Sequence, residues 1–521
     1  MDTKKTISLL LSFVLVFLLG GCSPAEEPFA LPEGTVEILL SDEKITVDGQ
    51  AASADPAQAV YLGQDIVYYE DGQDFTYGEG TEADAHSEEE AKEHTVVHIT
   101  KPGTYAVSGT LSAGQIAVDL GEDAEEDPEA VVTLILNGAD ITCTVAPAII
   151  FYNVYECSSA DEETAVMDVD TSAAGANLVI ADGTENTMNG SYVARIYKSV
   201  TLNDAGTEVV DSKKLHKYDA AVYSKMSMNV SGKGVLNINA ENEGLDSELH
   251  LTINDGIIRI VSGNDGINTN EDYVSVTTIN GGEVHIRVSG TTGEGDGIDS
   301  NGWLVINGGI VTSQACSTSG DAGIDADNGV YINGGTVIAS GNMYDRVEGT
   351  QNYAVFSFAQ ARKGGEAYTL KNEKGKVVAE IAPENAFSYF LFSSEELETG
   401  NYTLHRGAVQ LQGTGSMGMG MGGGFGGQRP DGTRPELPDG FVPDGGQMGE
   451  RPDGQMGERP DGQTGEGMTP PDGPMGQRPE GGRGPGGQMG GFGGQPGESS
   501  TIFAVKEGAN FFTGITEVSG N

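Results

Sequence analysis

The chain has 521 residues, 78 of them glycine and one tryptophan, and carries a formal net charge of −50 from 28 basic and 78 acidic side chains. The acidic balance excludes a nucleic-acid partner, because phosphate recognition needs a basic footprint. Glycine at this level excludes a long helical protein, since each interior glycine costs a helix about 1 kcal/mol against alanine. The glycines keep no three-residue collagen period either, which leaves a turn-rich all-β chain.

Lys4 and Lys5 precede an apolar run from Ile7 to Leu19, which ends in Leu19-Gly20-Gly21-Cys22. A basic start, an apolar stretch and small residues before a cut describe a secretory leader, and the cysteine after the small pair resembles a bacterial lipobox. Residues 1–22 therefore read as a lipoprotein signal peptide, with Cys22 as the lipidated mature N-terminus. The run is shorter than the roughly 20 residues a spanning helix prefers. The expected location is the outer face of the bacterial cell membrane, with the lipid as the tether. Residues 23–94 read as an acidic linker or cap, with strand-like pieces at Glu37–Leu40 and Ala59–Tyr69 and a charge run at Glu79–Glu93.

From Thr95 the texture becomes short apolar alternations broken by glycine, the signature of strands. Between Val230 and Ser340 the chain repeats itself: Gly256, Gly282, Gly309 and Gly335 close the pieces INDG, INGG, INGG and INGG, 26, 27 and 26 residues apart. A fixed period in this range marks a solenoid. Each repeat holds three apolar pieces, exemplified by Gly297-Ile298-Asp299, the stretch ending in Ile306, and the stretch beginning at Val311. Because strand side chains alternate faces, Leu236, Ile258, Val284, Val311 and Val337 are expected to stack inward as a column. Three strands per turn describe a three-sided parallel β-helix over residues 95–342, whose coils bury their faces only against one another. Asn254, Asn280, Asn307 and Asn333 are expected to form a structural amide ladder at one corner.

Past Gly341, residues 343–412 read as a small antiparallel β unit. Residues 413–500 are a Gly/Pro/Met-rich insertion with too few branched residues to offset the entropy of ordering, hence expected to be disordered. Residues 501–521 turn apolar again and are expected to return as strands to the same β unit. Cys143, Cys157 and Cys316 show no CxxC pair and no zinc spacing. They fit buried thiols or a Cys143–Cys157 bridge.

The turns around the first strand of each coil are rich in oxygen: Asp246, Asp265, Asp296, Asp299, Asp325 and Asp327 recur there. Stacked at about 4.8 Å, such carboxylates repel unless something neutralises them, and calcium takes six to eight oxygen ligands. These six are the candidate ligands of a structural Ca²⁺; the alternative is turn aspartates facing water. Trp303, Tyr331 and Tyr273 are expected to face outward and to offer sugar-stacking rings, unless Trp303 packs beneath the C-terminal unit. Catalysis has less support. Arg259 and Arg287 are offset from each other in the repeat, His250 and His285 have no placed partner, and Asp296 with Asp299 suits calcium better than a carboxylate pair.

The pieces GTYAVSGTLSAGQIAVD (103–119), VTLILNGADIT (132–142), NLVIADGTEN (177–186), the GID…INGG coils and FSYFLFSSEEL (387–397) resemble the calcium-containing, right-handed β-helix carbohydrate-binding proteins of clostridia and related bacteria, long described as a domain of unknown function. That resemblance implies binding to plant-wall polysaccharide, cellulose or pectin-like, with calcium holding the coils and no catalytic set to transfer; a non-catalytic monomer is expected. A pectate-lyase-like or polygalacturonase-like enzyme and a structural adhesin are the competing readings.

Overall fold

The computed structural model describes residues 29–64, 66, 88–191, 197–202, 209–214, 218, 220–416 and 499–518. The leader with Cys22 and nearly all of the 413–500 insertion lie outside the described residues. Among those described, helix is confined to the five-residue turn Glu88–Lys92 and two short 3-10 turns, so the chain is all-β. The Glu79–Glu93 charge run ends in this helical turn, with the His94 ring 2.9 Å from the Glu90 carbonyl.

Three ladders of parallel strands carry the repeat. The first runs through Thr95–Ile99, Gly114–Asp119, Ile149–Asn153, Ala220–Ser224, Glu243–Ser247 and Ile267–Thr269. The second continues from Ala176–Ile180 through Met228–Gly232, His250–Ile253, Val276–Ile279, Trp303–Ile306 and Gly329–Ile332. The third stacks Glu185–Gly190, Val235–Ala240, Ile257–Ser262, Glu283–Val288, Ile310–Gln314 and Thr336–Gly341. Parallel partners need a long crossover between them. Here the crossover is the passage through the other two ladders, which is why partners such as Ile253, Ile279, Ile306 and Ile332 lie 26, 27 and 26 residues apart.

Side-chain alternation then sorts the core. Leu236, Ile258, Val284, Val311 and Val337 stand in register, all fully buried, as the repeat predicts. Each such residue stabilises the stack by roughly 1.5–3 kcal/mol relative to exposure. The turns between second and third ladders explain the glycine pairs. Gly309 sits at φ +80°, and a Cβ there would lie 2.6 Å from the Gly282 carbonyl oxygen, so only glycine lets one coil settle on the next.

Strands from before residue 94 pair onto this stack. Val36–Leu40 runs parallel to Gly103–Leu111, and Val60–Gly63 runs antiparallel to Thr95–Ile99. At the other end Phe387–Ser393 pairs antiparallel with Thr336–Gly341 and extends the third ladder into a β unit with its own aromatic core, including Phe356, Tyr368, Phe390, Phe503 and Phe512. Phe503–Val505 and Ala509–Glu517 return to that unit after the insertion. One of its pairings departs from the antiparallel expectation: Ala509–Glu517 lies parallel to Tyr353–Arg362, a geometry open to it because a long stretch of chain separates the two.

Candidate polar cleft and acidic row

Two features stand out on the coils, a row of acids and a polar cleft. The acids lie at the edge of the first ladder. Asp246 is fully buried, and the Asn270 amide donates to both of its carboxylate oxygens at 3.1 and 3.0 Å. Asp265 accepts the Asp296 backbone N–H at 2.6 Å, and Asp296 accepts that of Ala322 at 2.5 Å, so each coil's acid caps the turn of the next.

Proximity has an electrostatic consequence. Burial, then Glu243, Asp299 and Asp296, raises Asp265 well above the usual carboxylate range. Burial, with Asp299 and Asp325 alongside, pushes Asp296 up to about 9. Burial, then Asp345, Asp299 and Asp327, lifts Asp325 to about 8. Asp345 itself rises to about 6, mainly through burial. Asp327 is exposed and its upward shift comes from partial burial and Asp272, which places it at the margin of the row. Glu243, which precedes Gly-Leu-Asp246 as Asp296 precedes Gly-Ile-Asp299, belongs to the row although it was not among the six candidate ligands; Asp345 joins it too and follows no such pattern.

The donor set is oxygen throughout, which suits a hard cation. Asn268, in register with Asp246 and only 1% exposed, gives its amide N–H groups to Glu243 and Asn270 while its Oδ1 has no hydrogen-bond partner among the described residues. The acids are nevertheless strung along the stack. Among the described residues no three Asp, Glu, His or Cys side chains close around one point as a metal-ligand group. A cation would have to recruit amide and backbone oxygens as well.

The aromatic expectation requires correction. Trp303 is 6% exposed and packs against Ala165, Met167, Val169 and Tyr331, so its ring offers no open face. What covers it is neither sugar nor the C-terminal unit but the segment between Ile149–Asn153 and Ala176–Ile180. Tyr331 is half-buried in the same cluster. Tyr273 alone is exposed, at 41%, on a turn with φ +62°. The three rings form no platform.

The covering segment is a strap. Met167 and Val169 are half-buried against the second ladder while Asp168 and Asp170 stay exposed beside them. Thr171 pins it: its hydroxyl lies 2.7 Å from Thr252 Oγ1 and 2.8 Å from Asn229 Oδ1, and the Asn229 amide donates back to the Thr171 carbonyl at 2.7 Å. Ser158 adds a second pin at 3.1 Å from His250 Nε2. His250 takes the Val276 N–H on its other nitrogen, and burial lowers its pKa to about 4, so it stays neutral.

Between strap and turns runs a cleft of about 600 Å³. Asn177, Asn229, Thr252 and Thr278 line its floor, and residues 167–172 form its wall. Its rim is the amide ladder: Asn280 donates to Asn254, Asn307 to Asn280 and Asn333 to Asn307, each at 3.0 Å. The ladder is internally bonded as expected, yet all four side chains remain exposed and face the cleft.

The cations and imidazoles lie elsewhere. Arg259 and His285 are in register on the third ladder, and His285 is held by Thr312 at 2.7 Å. Arg287 pairs with Glu384 at 3.4 Å. Cys143, Cys157 and Cys316 are free thiols, with Cys143 pushed up to about 12 by burial.

A family model described as carbohydrate-binding domain-containing protein matches residues 93–380. A curated protein of the same description from Acetivibrio thermocellus is 29% identical over 165 residues, which is 32% of this chain and 44% of that protein. The chain thus aligns with less than half the length of that relative. A solved structure described as a polysaccharide lyase-like protein from C. thermocellum, a gadolinium derivative, is 19% identical with a TM-score of 0.35, covering 60% of this chain and 94% of that one.

Proposed function

The chain belongs to the carbohydrate-binding domain-containing protein family, whose model spans more than half of it, and from that premise we propose a non-catalytic, surface-anchored lipoprotein that binds plant cell-wall polysaccharide. The observation that carries the binding reading is the cleft, a groove of amides and hydroxyls crossing several coils beside a pinned strap. Groups of this kind exchange hydrogen bonds with sugar hydroxyls at modest net gain each, and repetition along the stack multiplies the contacts. The non-catalytic reading takes its support from the family description, which names binding and no reaction.

The three parallel ladders are read as the sides of a right-handed, three-sided β-helix, the hand that parallel crossovers adopt almost without exception. Asp265, Asp296, Asp299 and Asp325 would lend carboxylates to calcium bound along the row, no three of them at one ion and each ion completed by amide and backbone oxygens, with Asp246 and Asp327 at the ends. Bound there, calcium supplies the positive charge that lets stacked carboxylates ionise together. The anchor reading rests on the leader pattern ending at Cys22.

Affinity electrophoresis through gels containing plant-wall polysaccharides tests the binding reading. The wild-type chain should be retarded. Asn280→Ala with Asn307→Ala should weaken retardation about tenfold, the equivalent of about 1.4 kcal/mol, while the loss of the three exposed ladder bonds lowers the melting transition by a few degrees and leaves it cooperative. Equal retardation of both proteins would remove the cleft from the reading.

A further inference from the structure

We infer that the cleft takes a single, extended, uncharged polysaccharide chain lying along the stack of coils, and that it rejects polyuronates and flat crystalline glycan faces. The inference rests on the cleft being the carbohydrate site and narrows its ligand.

Charge gives the first argument. The ionisable side chains lining the cleft are Asp168 and Asp170, both exposed on the strap, and no cation lines it among the described residues. A uronate entering the groove would bring a carboxylate against two others, in a chain that already carries −50. A neutral sugar meets no such opposition.

Hydrogen-bond accounting gives the second. An asparagine amide has two N–H donors and two acceptor lone pairs. In the middle of the ladder Asn280 and Asn307 each spend one N–H and one lone pair on their neighbours. Each rung therefore keeps one donor and one acceptor for the cleft. Rungs recur at strand spacing, about 4.8 Å, close to the length of one pyranose residue. Four rungs in line present a repeating donor and acceptor to the hydroxyls of a chain running across the coils.

Shape gives the third. The strap stands as a wall along one side, fixed by Thr171 and by Met167 and Val169 against Val276, Trp303 and Val305. A walled groove admits one chain edge-on. A crystalline surface needs a flat aromatic platform, and the tryptophan that could supply one is buried under the wall.

The test uses the full chain, with hydroxyethylcellulose, xyloglucan and galactomannan as neutral soluble probes, polygalacturonate as the anionic probe, and microcrystalline cellulose in a sedimentation assay. At least one neutral polymer should retard the protein, polygalacturonate should bind at least tenfold more weakly, and microcrystalline cellulose should leave the protein in the supernatant. Asp168→Asn with Asp170→Asn should raise polygalacturonate binding severalfold; asparagine preserves the acceptor that Asp170 offers the Ser172 N–H. Polygalacturonate binding as tight as the best neutral polymer and unmoved by that double variant would overturn the charge argument. Retention on microcrystalline cellulose matching the soluble polymers would overturn the single-chain argument. Neutral binding indifferent to Asn280→Ala and Asn307→Ala would sink the cleft reading itself, a failure distinct from the other two.

Discussion

At the scale of single residues, the close coil contacts and the acid row make the sharpest statements. Gly309 has a positive φ and no room for a Cβ against the Gly282 carbonyl. Gly309→Ala should therefore cost on the order of 1–3 kcal/mol in backbone strain, read as a lower midpoint in denaturant unfolding. An unchanged midpoint would mean the turn can relax. The acids have the opposite kind of signature. Asp296 has a folded-state pKa of about 9 against an ordinary value of 3.8, so the folded state holds this proton more tightly than the unfolded one. Its contribution to stability is complete below about pH 4 and is lost as the pH rises toward 9. Chelated protein should melt at progressively lower temperature across that window, and added calcium should flatten the curve. A chelated melting temperature that climbs with pH would contradict the repulsive row. Asp296→Asn should raise the chelated protein's melting temperature at pH 8 and shrink the calcium effect.

At the scale of elements, the strap is the part that turns a sheet face into a groove. Its covering of Trp303 makes a ready reporter, because the chain has one tryptophan. Thr171→Ala removes the hydroxyl that bonds Thr252 and Asn229. Its emission should shift to longer wavelength as the strap loosens and water reaches the indole, and glycan retardation should fall. A shift without loss of binding would separate the wall from the ligand. This element also marks the limit of what could be read in the sequence. The inward columns were legible, since a repeat puts each apolar position in register with its neighbours: Leu236 through Val337 follow from counting alone. The outward face of Trp303 was equally legible. Its burial was not, because the cover comes from residues 165–169, more than a hundred positions earlier and outside the repeat. The alternation Met167-Asp168-Val169-Asp170 was a usable sign of an extended segment with one face down, but nothing in it names the surface it lies on. Asn254, Asn280, Asn307 and Asn333 were recognised as a ladder, and only the strap opposite reveals that they also edge a cleft.

At the scale of the whole molecule, the C-terminal unit closes over a long interruption. Gly413 and Ser500 exchange backbone hydrogen bonds at 2.9 and 2.8 Å, so the chain leaves and re-enters this unit at adjacent points. Replacing residues 417–498 with a short glycine-serine linker should leave the unfolding transition and the glycan retardation intact. Loss of binding in that variant would shift weight to the adhesin reading, in which the insertion engages a partner.

The central claim is where the glycan sits, and hydrogen exchange read by mass spectrometry locates it without a variant. The full chain would be exchanged with and without the neutral polymer that retards it best. Slowed exchange confined to the strap, residues 165–172, and to the turns carrying Asn254, Asn280, Asn307 and Asn333 is the expected result. Protection that spares these segments and appears on the C-terminal unit or the third ladder would contradict it.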